Sequence, residues 1–236
     1  MISIAVSELR MLLRNRLVAA LAIGIPLVFG AFFIVVRPED AGIPFAATLQ
    51  VVIMLGMGVY VTATTTLASR RQNLFLKRLR SGAVSDPAII AGLVIPIALV
   101  GLVQVAIIMG GLAASASSLP VHPWLLVLVV LLVDLMFVGF ALATAGITNS
   151  PEHAQVTTIP LFFVTVGVPF WVAITGSTDL AWLKNALPGG AIPALMTTAW
   201  EGGDLARGAL LLLPTLAWTV VAFLAAKVMF RWEPRS

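Results

Sequence analysis

The sequence contains no cysteine, so disulfide bonds, thiolate nucleophiles and cysteine-ligated zinc or iron–sulfur centres are excluded. Charge is also scarce: 10% of the 236 residues are charged, against about 25% in a soluble domain. Hydrophobic residues make up 60% of the chain. Because the chain has so much apolar surface and so little charge, the lipid bilayer is its predicted solvent.

The motifs of several enzyme classes are absent as well. There is no GxxxxGK[ST] phosphate-binding loop, no G-x-S-x-G nucleophile turn and no H-E-x-x-H metal motif. The two histidines, His122 and His153, belong to connecting segments on opposite sides of the predicted membrane. We therefore expect a chain that is not an enzyme and that itself binds no ATP, cofactor or metal ion.

Six segments are long and apolar enough to cross a bilayer, since about 20 helical residues cover its hydrocarbon core. The connecting segments are too short to form a separate core. The predicted fold class is an all-α membrane protein whose single transmembrane domain spans residues 1–236. The six predicted spans are residues 17–36, 45–68, 87–114, 124–147, 156–174 and 205–230.

The basic residues predict the orientation of the spans. An even number of spans places both termini on one side of the membrane, and cytoplasmic segments are enriched in lysine and arginine. We therefore expect both termini in the cytoplasm. We attribute the net charge of +4 to membrane topology rather than to nucleic-acid binding. The terminal side carries Arg10, Arg14, Arg16, Arg70, Arg71, Lys77, Arg78, Arg80, Lys227, Arg231 and Arg235, and the outer side Arg37, Lys184, Arg207, Glu39, Asp40, Asp179, Glu201 and Asp204.

The cytoplasmic segment 70–86 carries five basic residues and no acid before Asp86. Its pattern predicts a short amphipathic helix at the membrane surface. One interpretation is a topology determinant whose bases contact lipid phosphates, which the pattern alone favours. The other is a docking helix for a cytoplasmic partner. The apolar side of the predicted helix holds Phe75, Leu76 and Leu79, and the basic side holds Arg71, Lys77, Arg78 and Arg80.

Two further segments are more than connectors. Residues 1–16 are predicted to form an interfacial helix that leads into the first span, as an anchor or beside a docking surface. Residues 175–204 are too apolar for a simple outer loop and predict two short helices, 180–187 and 192–200, broken at Pro188, Gly189 and Gly190. Such a re-entrant hairpin could be a lid over an exit path or a structural plug, and the sequence favours neither.

Two polar side chains fall inside the predicted spans. Asp134 is the acidic residue farthest from a span end, and insertion of a charged residue at that depth costs about 2.5–3.5 kcal/mol. Its side chain must therefore face protein or water, with Gln104 as a plausible companion. An interhelical hydrogen bond is favoured over a substrate or proton site.

The most specific pattern is residues 76–80, LKRLR, followed by the small residues and serines of 81–85. The segment after the fourth span, 149–155, contains serine, glutamate and glutamine, and the outer segment contains Leu187 and Pro188. Together with the order of the spans, these features resemble the permease subunits of type-2 ABC exporters, a family that includes drug, antibiotic, polysaccharide and lipid exporters. The resemblance extends over nearly the whole chain.

The resemblance implies a function. A permease of this family would form a path for a hydrophobic or amphipathic substrate across the bacterial cell membrane. It would work with a second copy of itself or a homologous permease, and with two ATPase subunits that bind ATP and Mg²⁺. The resemblance also implies which residues couple the permease to the ATPase: Arg70, Arg71, Phe75, Leu76, Lys77, Arg78, Leu79 and Arg80. It implies an outer gate formed by Leu187, Pro188, Gly189 and Gly190.

Two other functions are compatible with the residues. An ATP-independent channel or ion-coupled carrier would use Asp134 as its functional ionisable group. A membrane scaffold or immunity protein would bind partners and transport nothing.

Overall fold

The computed structural model describes residues 2–36, 42–82, 84–176 and 179–232. Throughout these residues the chain forms helices joined by turns, with no strand. The predicted all-α class is confirmed. The predicted outer charges Arg37, Glu39 and Asp40, the C-terminal Arg235 and residue Ala83 of the basic segment lie outside the described residues.

Eleven helices follow one another along the described chain. Two of the long ones contain a π-helical turn, Ala20–Gly24 in the second helix and Gly56–Val61 in the third. The helices are α1 (Ile2–Arg14), α2 (16–35), α3 (Ile43–Gln72), α4 (Phe75–Arg80), α5 (Asp86–Ala116), α6 (Pro123–Ile147), α7 (Pro151–Thr157), α8 (Ile159–Thr175), α9 (Ala181–Ala186), α10 (Ile192–Glu201) and α11 (Leu205–Met229).

Five stretches of the described chain are long and apolar enough to cross a membrane. The chain is therefore a multi-pass membrane protein. The apolar stretch of α2, Ala22–Val35, is shorter than these five, although the helix itself begins at residue 16. The five stretches are Ile43–Gln72, Asp86–Ala116, Pro123–Ile147, Pro151–Val172 and Leu205–Met229.

Prolines mark the start of many helices. In the first turn of a helix the backbone N–H has no helical partner, so proline, which lacks this group, is tolerated there. Polar caps complete two N-termini, one of which also has a first-turn proline: Ser150 Oγ accepts from His153 N at 3.2 Å, and Asp204 Oδ1 accepts from Ala206 N at 2.9 Å. First-turn prolines include Pro44, Pro87, Pro123, Pro151, Pro160 and Pro193.

The core is centred on α6, which is buried along most of its length and packs most extensively against α11. Small residues make this approach possible. A Cβ atom on Gly139 would lie 2.8 Å from the Cβ atom of Ala222, and one on Gly146 would overlap the carbonyl group of Met229. Close backbone approach of this kind is how helices associate in a bilayer, where apolar burial between helices gives no net driving force.

Three contacts bring one set of helix ends together, which we call the basic end. Glu8 of α1 forms an ion pair with Arg70, near the end of α3, at 2.9 Å. The Arg80 guanidinium, at the end of α4, lies 5.1 Å from the centre of the Trp232 ring, beyond α11. Arg71 of α3 reaches the last turn of α6, as described below.

The hairpin end of the bundle carries α9 and α10. The chain before α6 is tied to the end of α10, because His122 N donates to the Ala199 carbonyl at 2.9 Å. Trp218 of α11 donates its indole N–H to the Ala186 carbonyl at 2.8 Å. The buried face of α10 lies against α3 and α6, so this helix is part of the core rather than a surface loop.

We predict that Gly139→Leu lowers the free energy of unfolding by about 1–3 kcal/mol, the usual cost of overpacking, because α6 and α11 have to separate. The measurement is the thermal unfolding midpoint of the purified protein in detergent. Gly167→Leu in α8 is the matched control, since a Cβ atom on Gly167 would meet no atom of the described residues within 4 Å. Equal midpoints for the two variants would contradict the proposed packing.

Candidate functional site

The basic segment does not form a single helix. Arg70 and Arg71 belong to the end of α3, and only Phe75–Arg80 forms the separate helix α4. Between them Leu74 takes a left-handed backbone conformation, with φ of 56°, which reverses the chain. That conformation costs a non-glycine residue roughly 1–2 kcal/mol. The predicted single helix is corrected to a helix end, a turn and a short helix.

Helix α4 is amphipathic in the predicted sense. Leu76 is fully buried, and Phe75 and Leu79 pack against the core from partly buried positions. Lys77 and Arg78 lie on the exposed side. The apolar contacts hold α4 on the end of the bundle and direct its cations outward.

Arg71 is turned inward, with 2% of its surface exposed. Its Nη1 atom donates to the carbonyl of Gly146 at 3.3 Å. Gly146 lies in the last turn of α6, where carbonyl groups lack a helical donor and where the helix dipole favours a cation. Arg71 therefore joins α3 to α6 within the fold.

Arg70 connects three helices. Its Nη2 atom lies 2.9 Å from Oε2 of Glu8 and 3.3 Å from the sulfur of Met11, both in α1. Its guanidinium also lies 5.3 Å from the centre of the Phe75 ring in α4. Sequence reasoning missed the role of Glu8, although it is the only acidic residue before the first predicted span.

Both arginines of α4 are exposed and bond within their own segment. The Nε atom of Arg80 lies 3.2 Å from Oδ1 of Asp86, and Nη2 of Arg78 donates to the Asn73 carbonyl at 2.9 Å. The outward surface is formed by Lys77, Arg78 and Leu74, whose side chain is 47% exposed. These three residues line a depression of about 510 Å³, together with Asn73 and Ser81. We call it the α4 depression.

A second, larger space of about 940 Å³ opens between α1, α2, α3, α5 and α7. We call it the inner cavity. One side of α3 lines it over the whole stretch from Met57 to Arg70. Its lining changes along that stretch from apolar side chains to hydroxyls and then to the Glu8–Arg70 ion pair. Sequence reasoning did not predict this cavity, because its walls come from five separate helices.

The hairpin break lies where the sequence predicts it, between α9 and α10. Leu187 is partly buried, and Pro188, Gly189 and Gly190 are buried. Gly189 has φ of +84°, which favours glycine, and a Cβ atom there would lie 2.9 Å from Cγ of Pro169. A Cβ atom on Gly190 would overlap the carbonyl of Lys184. The turn therefore requires both glycines.

Lys184 of α9 is 2% exposed, which its predicted position in the outer hairpin did not indicate. Its Nζ atom donates to Thr175 Oγ1 at 2.8 Å and to the Gly176 carbonyl at 2.7 Å, both at the end of α8. The ammonium also lies 5.0 Å from the centre of the Trp171 ring. The cation thus caps the C-terminus of α8, where the helix dipole favours it, and holds the hairpin on α8.

Asp134 of α6 and Gln104 of α5, its plausible companion in the sequence, are both buried. Gln104 Nε2 donates to the Ala22 carbonyl at 3.1 Å. Asp134 is 3% exposed, and its Oδ1 atom has no hydrogen-bond partner within the described part of the chain. In a helix the Ala22 carbonyl would accept from the N–H of residue 26, but Pro26 has no N–H. Gln104 supplies this missing hydrogen bond.

We predict that Lys184→Met lowers the free energy of unfolding by about 1–3 kcal/mol, since it removes two hydrogen bonds from a charged donor. The loss should be local. Hydrogen exchange measured by mass spectrometry should rise in peptides of α9, whereas the exposed Lys227→Met in α11 should leave them unchanged. Unchanged protection of α9 in the Lys184 variant would refute the capping role.

A comparison with the curated proteins finds no match for this chain. A protein-family model described as ABC-2 type transporter matches residues 3–169, which reach from α1 into α8. The matched region contains the α1, α3 and α4 part of the basic end, all five helices that line the inner cavity, and the buried polar residues of α5 and α6. It stops before the hairpin and α11. With well over half of its length matched, the chain belongs to the ABC-2 type transporter family, as a membrane-spanning permease subunit.

Proposed function

We propose that this permease is the membrane-spanning subunit of an ATP-driven exporter and takes its energy from a separate ATPase. In this proposal α2 is the first of six crossings, and both termini and the basic end face the cytoplasm; the excess of lysine and arginine at that end supports this orientation. The observation that carries the proposal is the α4 depression, in which the exposed Leu74, just before α4, lies beside the cations Lys77 and Arg78 of a helix seated on the core. Its charge and shape suit an acidic partner surface with an apolar pocket.

Movement of α4 has a direct route into the membrane. Leu76 inserts into the core, and Arg70 joins the turn beside α4 to α1 through Glu8. Arg71, one residue further along α3, joins α3 to α6. A partner that displaces α4 when it binds ATP therefore acts on α1, α3 and α6 together. The permease would then shift as packed helices rather than as a flexible loop.

The hairpin would form the outer gate of the path. Gly189 lies against Thr165 and Pro169, whereas α8 ends at Thr175. The Thr165 contact is with its carbonyl oxygen, which points along the helix towards Pro169. The six residues from Pro169 to Thr175 correspond to about 9 Å, so the turn of the hairpin lies nearly two helical turns below the end of α8. This depth supports a re-entrant hairpin, with Leu187 and Pro188 at its turn. Backbone at that depth has to be buried in protein or line a cavity.

The complete transporter would contain two permeases, as two copies of this chain or as one copy with a homologue, and two ATPase subunits. The ATPases would bind ATP and Mg²⁺. The assembly would lie in the bacterial cell membrane and export a hydrophobic or amphipathic substrate.

We predict that Lys77→Glu together with Arg78→Glu weakens binding of the cognate ATPase at least tenfold, by a rough estimate, because both charges then repel an acidic surface. The measurement is the affinity of the purified permease for that ATPase in lipid nanodiscs, along with its ATP hydrolysis.

The matched control reverses two other basic residues of the same end, Lys227→Glu and Arg231→Glu, which are exposed but lie outside the α4 depression. Both variants have the same net charge. If both variants bind the ATPase equally weakly, the effect comes from general electrostatics and the proposed docking site is wrong. If neither variant loses affinity for the ATPase, the proposed docking site is also wrong.

One observation favours a second candidate function, an ATP-independent channel or ion-coupled carrier. Asp134 Oδ1 is a buried carboxylate oxygen without a partner in the described structure, and such groups occur in ion pathways. The residue lies on α6, far along the chain from the α4 depression.

We predict that Asp134→Asn retains most of the ability to stimulate the ATPase and is at least as stable as the native chain, because the amide removes a buried ionisable group. The checks are ATP hydrolysis by the reconstituted complex and the unfolding midpoint. Loss of transport with ATPase binding intact would instead assign Asp134 to the path.

A further inference from the structure

The inner cavity has the graded lining of a site for an amphiphile. Its long wall is α3, where residues 57, 61, 62, 65, 66, 69 and 70 share one face of the helix. From Met57 to Arg70 this face extends over about 20 Å. A volume of about 940 Å³ is at the upper end of the size of ligand pockets. The cavity is therefore long and narrow enough for one extended apolar chain.

The deep end of the inner cavity is apolar. Ala22 and Ile25 of α2, Met57 and Val61 of α3 and Ile97 of α5 line it. None of these side chains offers a hydrogen bond to a ligand, so this end suits hydrocarbon.

Hydroxyl groups line the middle of the inner cavity. Thr62 Oγ1 donates to the carbonyl of Met57 at 3.2 Å, and Thr65 Oγ1 donates to that of Val61 at 2.8 Å. Because these two hydroxyls have used their hydrogens within α3, only their lone pairs remain for a ligand. Thr66 and Ser69 also line the cavity, so its middle is polar and suits the hydroxyl or amide groups next to a head group.

The mouth of the inner cavity lies at the basic end and is charged. Two guanidinium groups and one carboxylate line it, those of Arg14, Arg70 and Glu8, and Arg70 is paired with Glu8. Glu8 is 6% exposed, and its Oε1 atom has no hydrogen-bond partner among the described residues. The same holds for the buried Nε atom of Arg70. A buried donor and a buried acceptor are thus left unused beside an excess of positive charge.

We propose that the inner cavity binds an amphiphile whose head group carries a phosphate or carboxylate together with a hydroxyl or ammonium donor. The anion lies at Arg70 and Arg14, the donor lies at Glu8 Oε1, and the chain extends along α3 towards Met57. This inference deepens the proposed transport function, on which the interpretation of the ligand as cargo rests. Arginine suits the anion because its planar fork matches phosphate and carboxylate oxygens.

The test is native mass spectrometry of the purified permease without its ATPase, titrated with palmitoyl lysophosphatidylglycerol. Monopalmitoylglycerol has the chain and hydroxyls without the anion, and hexadecyltrimethylammonium reverses the charge. We expect the phosphate amphiphile to bind about tenfold more tightly than either, as the loss of one charge-assisted hydrogen bond would give. Palmitate carries an anion without the hydroxyl donor, so we expect it to bind more weakly than the phosphate amphiphile. Equal binding of the two would contradict the donor site at Glu8 Oε1.

Two variants locate the binding. Thr65→Phe fills the middle of the inner cavity and should weaken binding of the phosphate amphiphile about tenfold. Val103→Phe, on an exposed face of α5 outside the cavity, is the matched control and should not change it. Arg14→Ala leaves the transmembrane packing intact. It should weaken binding of the phosphate amphiphile several-fold and leave binding of monopalmitoylglycerol unchanged.

Equal binding of the uncharged and phosphate amphiphiles would overturn the proposal. So would native affinity in both the Thr65 and Arg14 variants. Binding is measured on the permease alone, so failure of the ATPase to associate disproves the coupling proposal and leaves this inference standing. If the ATPase couples normally but no amphiphile binds, this inference is disproved and the coupling proposal stands.

Discussion

Backbone carbonyls that lack a helical donor in an apolar bundle have to be satisfied by side chains, because lipid offers no hydrogen bond. Three such bonds hold this structure together. Gln104 donates to Ala22, whose carbonyl lies four residues before Pro26. Arg71 donates to Gly146 in the last turn of α6, and Lys184 donates to Gly176 after α8. Each bond joins two separate helices and fixes their relative position.

This constraint divides the cations between structure and function. Arg71 and Lys184 are used within the fold, and Arg70 is shared between Glu8 and the Phe75 ring. Lys77 and Arg78 are exposed on the outer surface of α4, where Arg78 also donates to the Asn73 carbonyl. A charge that is buried and hydrogen-bonded positions helices, whereas an exposed charge steers a partner, so neighbouring basic residues have different roles.

The Glu8–Arg70 ion pair connects the two proposed functions of the basic end. On one side it ties α1 to the turn that leads into α4. On the other it forms the charged mouth of the inner cavity. A ligand that bonds the unused atoms of this pair would therefore contact the same residues that link α1 to the coupling surface. Cargo binding and ATPase docking would be linked through one ion pair.

The sequence predicts features that depend on neighbouring residues. The apolar side of α4, with Leu76 buried, follows from helical periodicity, and the break at Pro188, Gly189 and Gly190 follows from the conformational preferences of these residues. The sequence does not predict that Leu74 divides the basic segment. A left-handed leucine is unfavourable locally, and the packing of Leu76 and the bond of Arg71 have to compensate for it.

By itself the sequence determined the solvent of this protein, its helical class and its basic end, because hydropathy and charge act residue by residue. Only the tertiary structure decided which polar residues meet. Gln104, the plausible companion of Asp134 in the sequence, donates to the Ala22 carbonyl, and Glu8 and Lys184 gained partners on other helices. The inner cavity is likewise a feature that only the tertiary structure decided. Its walls come from five helices, and the shape between helices depends on packing that no local pattern encodes.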